Sequence, residues 1–168
     1  MLKNILKIVE DPILAAPKYT ARVLPVMFAP AAMFITIFFI LHNLGIEPYL
    51  GVKDGPDVGY TAFDFISIVL LVPVIETYLL IAVIWSVCKV IHKNLHIAFF
   101  SALFFSVLHS LQEPIWGIFV FWPFFVYSLI LISRNGSDHR GGDGVFIVIT
   151  LHALNNFFIW VLGYIDGA

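Results

Sequence analysis

Residues 65–88 read FISIVLLVPVIETYLLIAVIWSVC, twenty-four residues among which Glu76 is the single charged one. About 20 apolar residues in a helix cross the roughly 30 Å of hydrocarbon in a bilayer, so this stretch is long enough to span one. Comparable apolar runs occupy 23–41, 95–111, 115–133 and 145–165. The composition agrees: with 61% hydrophobic and 12% charged residues, a chain of 168 has more apolar surface than a soluble domain of that size can hide. The fold expected is an all-α polytopic membrane protein with about five transmembrane helices. They form a single domain over 23–168, preceded by an amphipathic cytoplasmic lead at 1–22.

In that lead, Leu2, Ile5, Leu6, Val9 and Ile13 share a helical stripe with Lys3 and Lys7 beside it. This is the pattern of a short N-terminal helix lying on the membrane surface, with Pro12 expected to end it. The run that follows is too long for a signal peptide and lacks a small-residue cleavage site, so it reads as a span. Within it, Pro25 and Pro30 each remove a backbone donor and favour a kink that neighbouring helices can accommodate.

Lys and Arg gather on the cytoplasmic side of membrane spans, which gives an orientation. Lys3, Lys7, Lys18, Arg22, Lys89, Lys93, Arg134 and Arg140 fall in the first, third and fifth non-membrane segments, and only Lys53 falls on the other side. The expected placement is therefore an N-terminus in the cytoplasm and a C-terminus outside, in a prokaryotic inner (cell) membrane. Trp116 and Tyr164 sit near span ends, where amphipathic rings favour the interface. A net charge of −2 with dispersed basic residues points to the lipid bilayer and away from nucleic acid. The lone Cys88 excludes an intrachain disulfide and reads as a packed thiol.

The segment 43–64 carries Gly45, Pro48, Gly51, Gly55, Pro56 and Gly59 with Glu47, Asp54, Asp57 and Asp64, and reads as an exposed acidic loop. Its carboxylates are too few and too irregularly spaced for a calcium site. A second polar loop covers 133–144, and 112–114 is a short turn. The histidines His92, His96 and His139 read as solvated or interfacial.

Chemistry concentrates elsewhere. Glu76 lies near the middle of its span, where a carboxylate costs about 2.5 to 3.5 kcal/mol on insertion scales. Taken alone, such a residue reads equally as interhelical glue. His109 near the end of the third span, and His152 and Asn156 in the fifth, make a cluster of it. His152 and Asn156 are four residues apart, hence on one helical face one turn apart. A carboxylate beside an imidazole can bind and deprotonate a water for attack on a carbonyl. His152 and the Asn156 amide could supply donors to the oxyanion that forms. The expected site is a polar cavity among helices 2, 3 and 5. His109 is predicted to lie about 10 Å from Glu76 in depth if the helices are straight, at 1.5 Å per residue. Contact between them then requires a tilted third helix or a protein-buried turn, with Gln112 or Glu113 at the pocket entrance.

Pro73-Val74-Ile75-Glu76-Thr77, Phe105-x-x-x-His109 and His152-x-x-x-Asn156, each in a successive apolar stretch, resemble the three motifs of the CPBP family, which comprises CAAX proteases and bacteriocin-processing proteins and is also called Abi. The resemblance runs over about 65–164. It implies a glutamate-type intramembrane endopeptidase in which Glu76 activates water with His109, and His152 and Asn156 stabilise the oxyanion. The implied substrate is a membrane-associated peptide or protein, prenylated or bacteriocin-like, and the implied chemistry needs no cofactor. Two positions depart from the family pattern: Thr77 and Ile81 stand where a second glutamate and an arginine are usual. That departure keeps open a non-catalytic immunity or scaffold protein of the same family. A zinc peptidase with Glu76, His109 and His152 as ligands is a further alternative, since three such ligands and an open position suffice chemically.

Overall fold

A computed structural model describes residues 9, 16–45, 61–112, 114–134 and 143–167. Among them the chain is helical, with no strand: α1 (Ala16–Asn43), α2 (Ala62–Val87), α3 (Asn94–Ser110), α4 (Trp116–Arg134) and α5 (Asp143–Gly167). Three of these, α2, α4 and α5, are long and apolar enough to cross a membrane, and α3 is a shorter apolar helix. Many large apolar side chains, Ile75, Tyr78, Trp85, Leu111, Ile118 and Phe146 among them, face outward. An aqueous surface does not tolerate apolar exposure on that scale, whereas lipid does.

The four later helices begin and end within three residues of the expected spans. α1 differs, since it starts seven residues before the expected boundary at 23 and carries Lys18 and Arg22 on its first turns. Of the lead, only Val9 and 16–22 are described; the expected surface stripe and Pro12 otherwise lie outside. Val9 is buried, and its carbonyl accepts from the Tyr19 and Ser133 hydroxyls. Tyr19 in turn lies under the Arg134 guanidinium, 4.0 Å from ring centroid to charge centre. Val9 is thus tied to the start of α1 and the end of α4.

α4 is the central helix. It touches each of the other four, and every residue from Phe124 to Leu131 is buried. Its tightest neighbour is α3, and the reason is Gly117: a Cβ there would stand 1.9 Å from the Ser110 hydroxyl and 2.5 Å from the Ser106 carbonyl. The Ser106 hydroxyl uses the space to donate to the Gly117 carbonyl at 2.6 Å. Between helices that cannot gain hydrophobic energy from each other in lipid, close backbone approach and such bonds supply the association.

α2 opens on a capping box. Thr61 accepts from the Asp64 amide at 3.2 Å and Asp64 accepts from the Thr61 amide at 3.0 Å. The acidic loop expected over 43–64 therefore yields its last four residues to a helix start; 46–60 lie outside the description. At the other edge of that loop Gly45, with φ +68°, ends α1 in the left-handed conformation that favours glycine.

Prolines shape the helices, and side chains from other helices complete what they remove. In α1 the carbonyl of Val26 would accept from residue 30, but Pro30 has no N–H. The Trp122 indole of α4 donates to it at 3.0 Å instead. In α2, residues Ile66–Leu71 form a π-helical segment and the Val72 amide donates to Ser67. That leaves Ile68 to the residue five ahead, which is Pro73. Its carbonyl accepts from Asn156 of α5 at 2.9 Å. Pro30 and Pro73 are thus each answered by a donor on a neighbouring helix, which pins α1 to α4 and α2 to α5.

Candidate active site

Glu76, His109 and His152 come from α2, α3 and α5 and meet in one place. The two carboxylate oxygens of Glu76 face different imidazoles: Oε2 lies 3.2 Å from Nε2 of His152 and Oε1 lies 3.7 Å from Nε2 of His109. The His152 side chain is nearly sealed, at 5% exposure, while Glu76 keeps 22% and His109 16%. The site is thus closed on the α5 side and more open toward α2 and α3.

The expected depth conflict between Glu76 and His109 does not arise. From the connection that joins α2 to α3, Glu76 is eleven residues back from Val87 and His109 fifteen on from Asn94. At 1.5 Å per residue these are heights of about 16 and 22 Å. The difference of about 6 Å is within side-chain reach, so no burial of the 111–115 turn is needed. Leu111 and Gln112 are exposed. Glu113, named with Gln112 for a pocket entrance, lies outside the described residues.

Hydrogen bonds set the imidazole roles. A carbonyl can only accept, so the 2.9 Å contact of His109 Nδ1 with the Phe105 carbonyl places a proton on Nδ1. Nε2 of a neutral His109 is then a lone pair turned toward Glu76. His152 has the opposite arrangement: its Nε2 approaches a carboxylate oxygen and so carries a proton, while its Nδ1 is buried without a partner. With both imidazoles neutral, Glu76 is flanked by an acceptor on one side and a donor on the other.

Asn156 sits one turn beyond His152 on the same helix, but its amide nitrogen is engaged by Ile68. Thr77, where the resembled family carries its second glutamate, is buried and returns its hydroxyl to the Pro73 carbonyl at 2.6 Å. Ile81 packs partly buried against the core. Neither supplies charge to Glu76.

α4 contributes residues that the sequence reading passed over. Phe124 is stacked on Phe105 at 4.1 Å and touches both imidazoles, 5.8 Å from His109 and 5.5 Å from His152 between ring centroids. Tyr127, one turn on, lies 5.2 Å from the His152 ring at a tilt of 31°, and its buried hydroxyl has no partner. With 17 Phe and 6 Tyr in the chain, an aromatic residue in a span carries no signal of its own. The only cue was that Tyr127 is the one phenol in its apolar run.

No family model, curated protein or solved structure matches the chain. The chemistry of the site therefore rests on its geometry. Glu76 brings His109 and His152 together, yet among the described residues no group of three or more His, Cys, Asp or Glu is arranged to hold a metal ion. What the arrangement can do is polarise and deprotonate a small hydroxylic molecule between Glu76 and His109 in apolar surroundings. Two acceptors 3.7 Å apart suit a water that donates to both.

Proposed function

We propose that the protein is an intramembrane endopeptidase of the CAAX-protease type, hydrolysing a peptide bond of a membrane-associated substrate. The observation that carries this reading is the placing of one carboxylate between two imidazoles from three apolar helices. A water held by Glu76 Oε1 and His109 Nε2 loses a proton to the carboxylate as it attacks the carbonyl carbon, and Glu76 returns that proton to the amide nitrogen as the intermediate collapses and the C–N bond breaks, which leaves an acid, an amine and the carboxylate restored. The Nε2–H of His152 first orients Oε2 and then serves the developing oxyanion. It supplies the electrostatic support that Thr77 and Ile81 do not. In this reading all five helices cross the membrane, with the N-terminus cytoplasmic and the C-terminus outside, in a prokaryotic cell membrane.

The test uses the protein reconstituted in vesicles with membrane-anchored peptides, a farnesylated C-terminal peptide among them, and reads products by mass spectrometry. Cleavage should occur and fall at least about 100-fold in Glu76→Gln, the scale of a lost general base. Cleavage unchanged in that variant refutes the assignment.

One observation favours a second reading. Asn156 and Thr77 both spend their polar groups on backbone carbonyls, as residues that lock helices do. A non-catalytic immunity or scaffold protein would keep the Glu76 cluster for the same purpose. In that case Glu76→Gln protects a host cell as well as the wild type does, and no peptide is cut.

A further inference from the structure

Among the described residues, two buried polar atoms of the site have no partner, and they stand on neighbouring rings. Nδ1 of His152 has none, and neither has the hydroxyl of Tyr127. Both side chains are sealed, Tyr127 at 0% and His152 at 4% exposure. Their rings lie 5.2 Å apart, only 31° from parallel, and Phe124 meets both edge-on, at 5.5 Å from His152 and 5.7 Å from Tyr127. A buried polar group without a partner costs free energy, and two such groups on neighbouring rings in an apolar core are costly unless both are satisfied.

Their chemistry is complementary. The carboxylate at Nε2 requires the proton on that nitrogen, so a neutral His152 presents a bare lone pair at Nδ1. A phenol O–H is the donor such a lone pair needs. One water bridging the two groups relays that donation, because a buried water needs only two to four polar partners.

We propose that Tyr127 is the positioning residue of the site: its hydroxyl, through one bridging water that donates to Nδ1 of His152, fixes the Nε2–H form that faces Glu76. The hydrogen bond at one imidazole nitrogen decides what the other can do. Without it, His152 can carry its proton on Nδ1, leaving two acceptors facing each other at 3.2 Å. The catalytic importance of the tether rests on the hydrolytic reading above; the hydrogen bond itself does not.

The experiment is side-chain ¹⁵N NMR of histidine-labelled full-length protein in lipid nanodiscs, with His152→Gln used to assign the His152 signals. The wild type should show His152 as the neutral Nε2–H tautomer, with an Nδ1 resonance displaced by hydrogen bonding. In Tyr127→Phe that resonance should move toward the value of a free imine nitrogen. If the variant does not fold, fluorotyrosine incorporation keeps the volume and makes the phenol a stronger donor, and the same resonance should move the opposite way. An Nδ1 signal that ignores the change at Tyr127, or a wild-type proton on Nδ1, overturns the proposal. With a cleaved peptide in hand, Tyr127→Phe should lower kcat about tenfold and leave KM near its original value. The resonance shift in a protein that cleaves nothing supports the tether and counts against hydrolysis instead.

Discussion

The amide of Asn156 donates to the carbonyl of Ile68 at 2.9 Å, and Ile68 is the residue whose in-helix donor is removed by Pro73. A residue of the motif that resembles an oxyanion hole thus also repairs the helix that carries Glu76. It holds α2 against α5 within a turn or two of the carboxylate, so one side chain links the backbone defect to the site.

That linkage predicts a coupling between Pro73 and Asn156. Asn156→Leu should cost about 1 to 2 kcal/mol, because it leaves the Ile68 carbonyl unsatisfied in an apolar setting. In a Pro73→Ala background the new amide at residue 73 serves that carbonyl, and the same substitution should cost less than half as much. Equilibrium unfolding in mixed micelles gives the four stabilities of the cycle. Equal losses in the two backgrounds would show that Asn156 acts on something other than Ile68.

Glu76 and its histidines should separate activity from stability. In Glu76→Gln the amide oxygen still accepts from Nε2 of His152, and Glu76 is partly exposed, so the unfolding midpoint should stay within about 1 kcal/mol of wild type. His109→Ala removes the lone pair facing Oε1 but leaves the sealed α5 side untouched, so it too should fold. Cleavage of a membrane-anchored peptide should fall by about 10²- to 10⁴-fold in each. A variant that loses activity only in proportion to its loss of folded protein would place these residues in the scaffold.

How much of this was legible beforehand varies by residue. The ends of α2 to α5 could be read closely because length and apolarity set them, but α1 outran its expected start because Lys18 and Arg22 mark a charge boundary without breaking a helix. Glu76, His109 and His152 were visible as polar residues in apolar runs, and they do converge. Glu76 and His109 meet, and heights counted from the connection that α2 and α3 share differ by only about 6 Å, less than centring each span on its own suggests. The engagement of Asn156 was hidden, for it depends on a π-helical segment that shifts the donor of Ile68 from residue 72 to Pro73. Phe124 and Tyr127 could not be singled out, since only the packing of α4 between α3 and α5 tells them from other aromatics.

Trp122 and Pro30 form a second repaired defect and predict a second cycle. Trp122→Phe keeps an aromatic ring but removes the N–H that serves Val26, and should cost about 1 kcal/mol or somewhat more. Pro30→Ala restores a backbone donor to that carbonyl, and in its presence Trp122→Phe should be nearly neutral. Because this latch joins α1 to α4, whereas Glu76, His109 and His152 are carried by α2, α3 and α5, neither change should alter cleavage per folded molecule. A specific loss of activity would mean that α1 takes part in the site.

The close crossing of α3 and α4 gives the last prediction. At Gly117 an added Cβ meets the Ser110 hydroxyl at 1.9 Å and the Ser106 carbonyl at 2.5 Å. The hydroxyl can rotate away, but the carbonyl belongs to the α3 backbone, so α3 itself must move. Gly117→Ala should therefore destabilise the protein by about 1 to 3 kcal/mol, the usual range for overpacking. Ser110→Ala in the same chain relieves only the first contact and should recover only a minor part of the loss. Because α3 also carries His109, its displacement from α4 should widen the 3.7 Å separation from Glu76. Gly117→Ala should then lower cleavage per folded molecule as well as stability. A variant with full specific activity would show that the α3–α4 crossing and the position of His109 are independent.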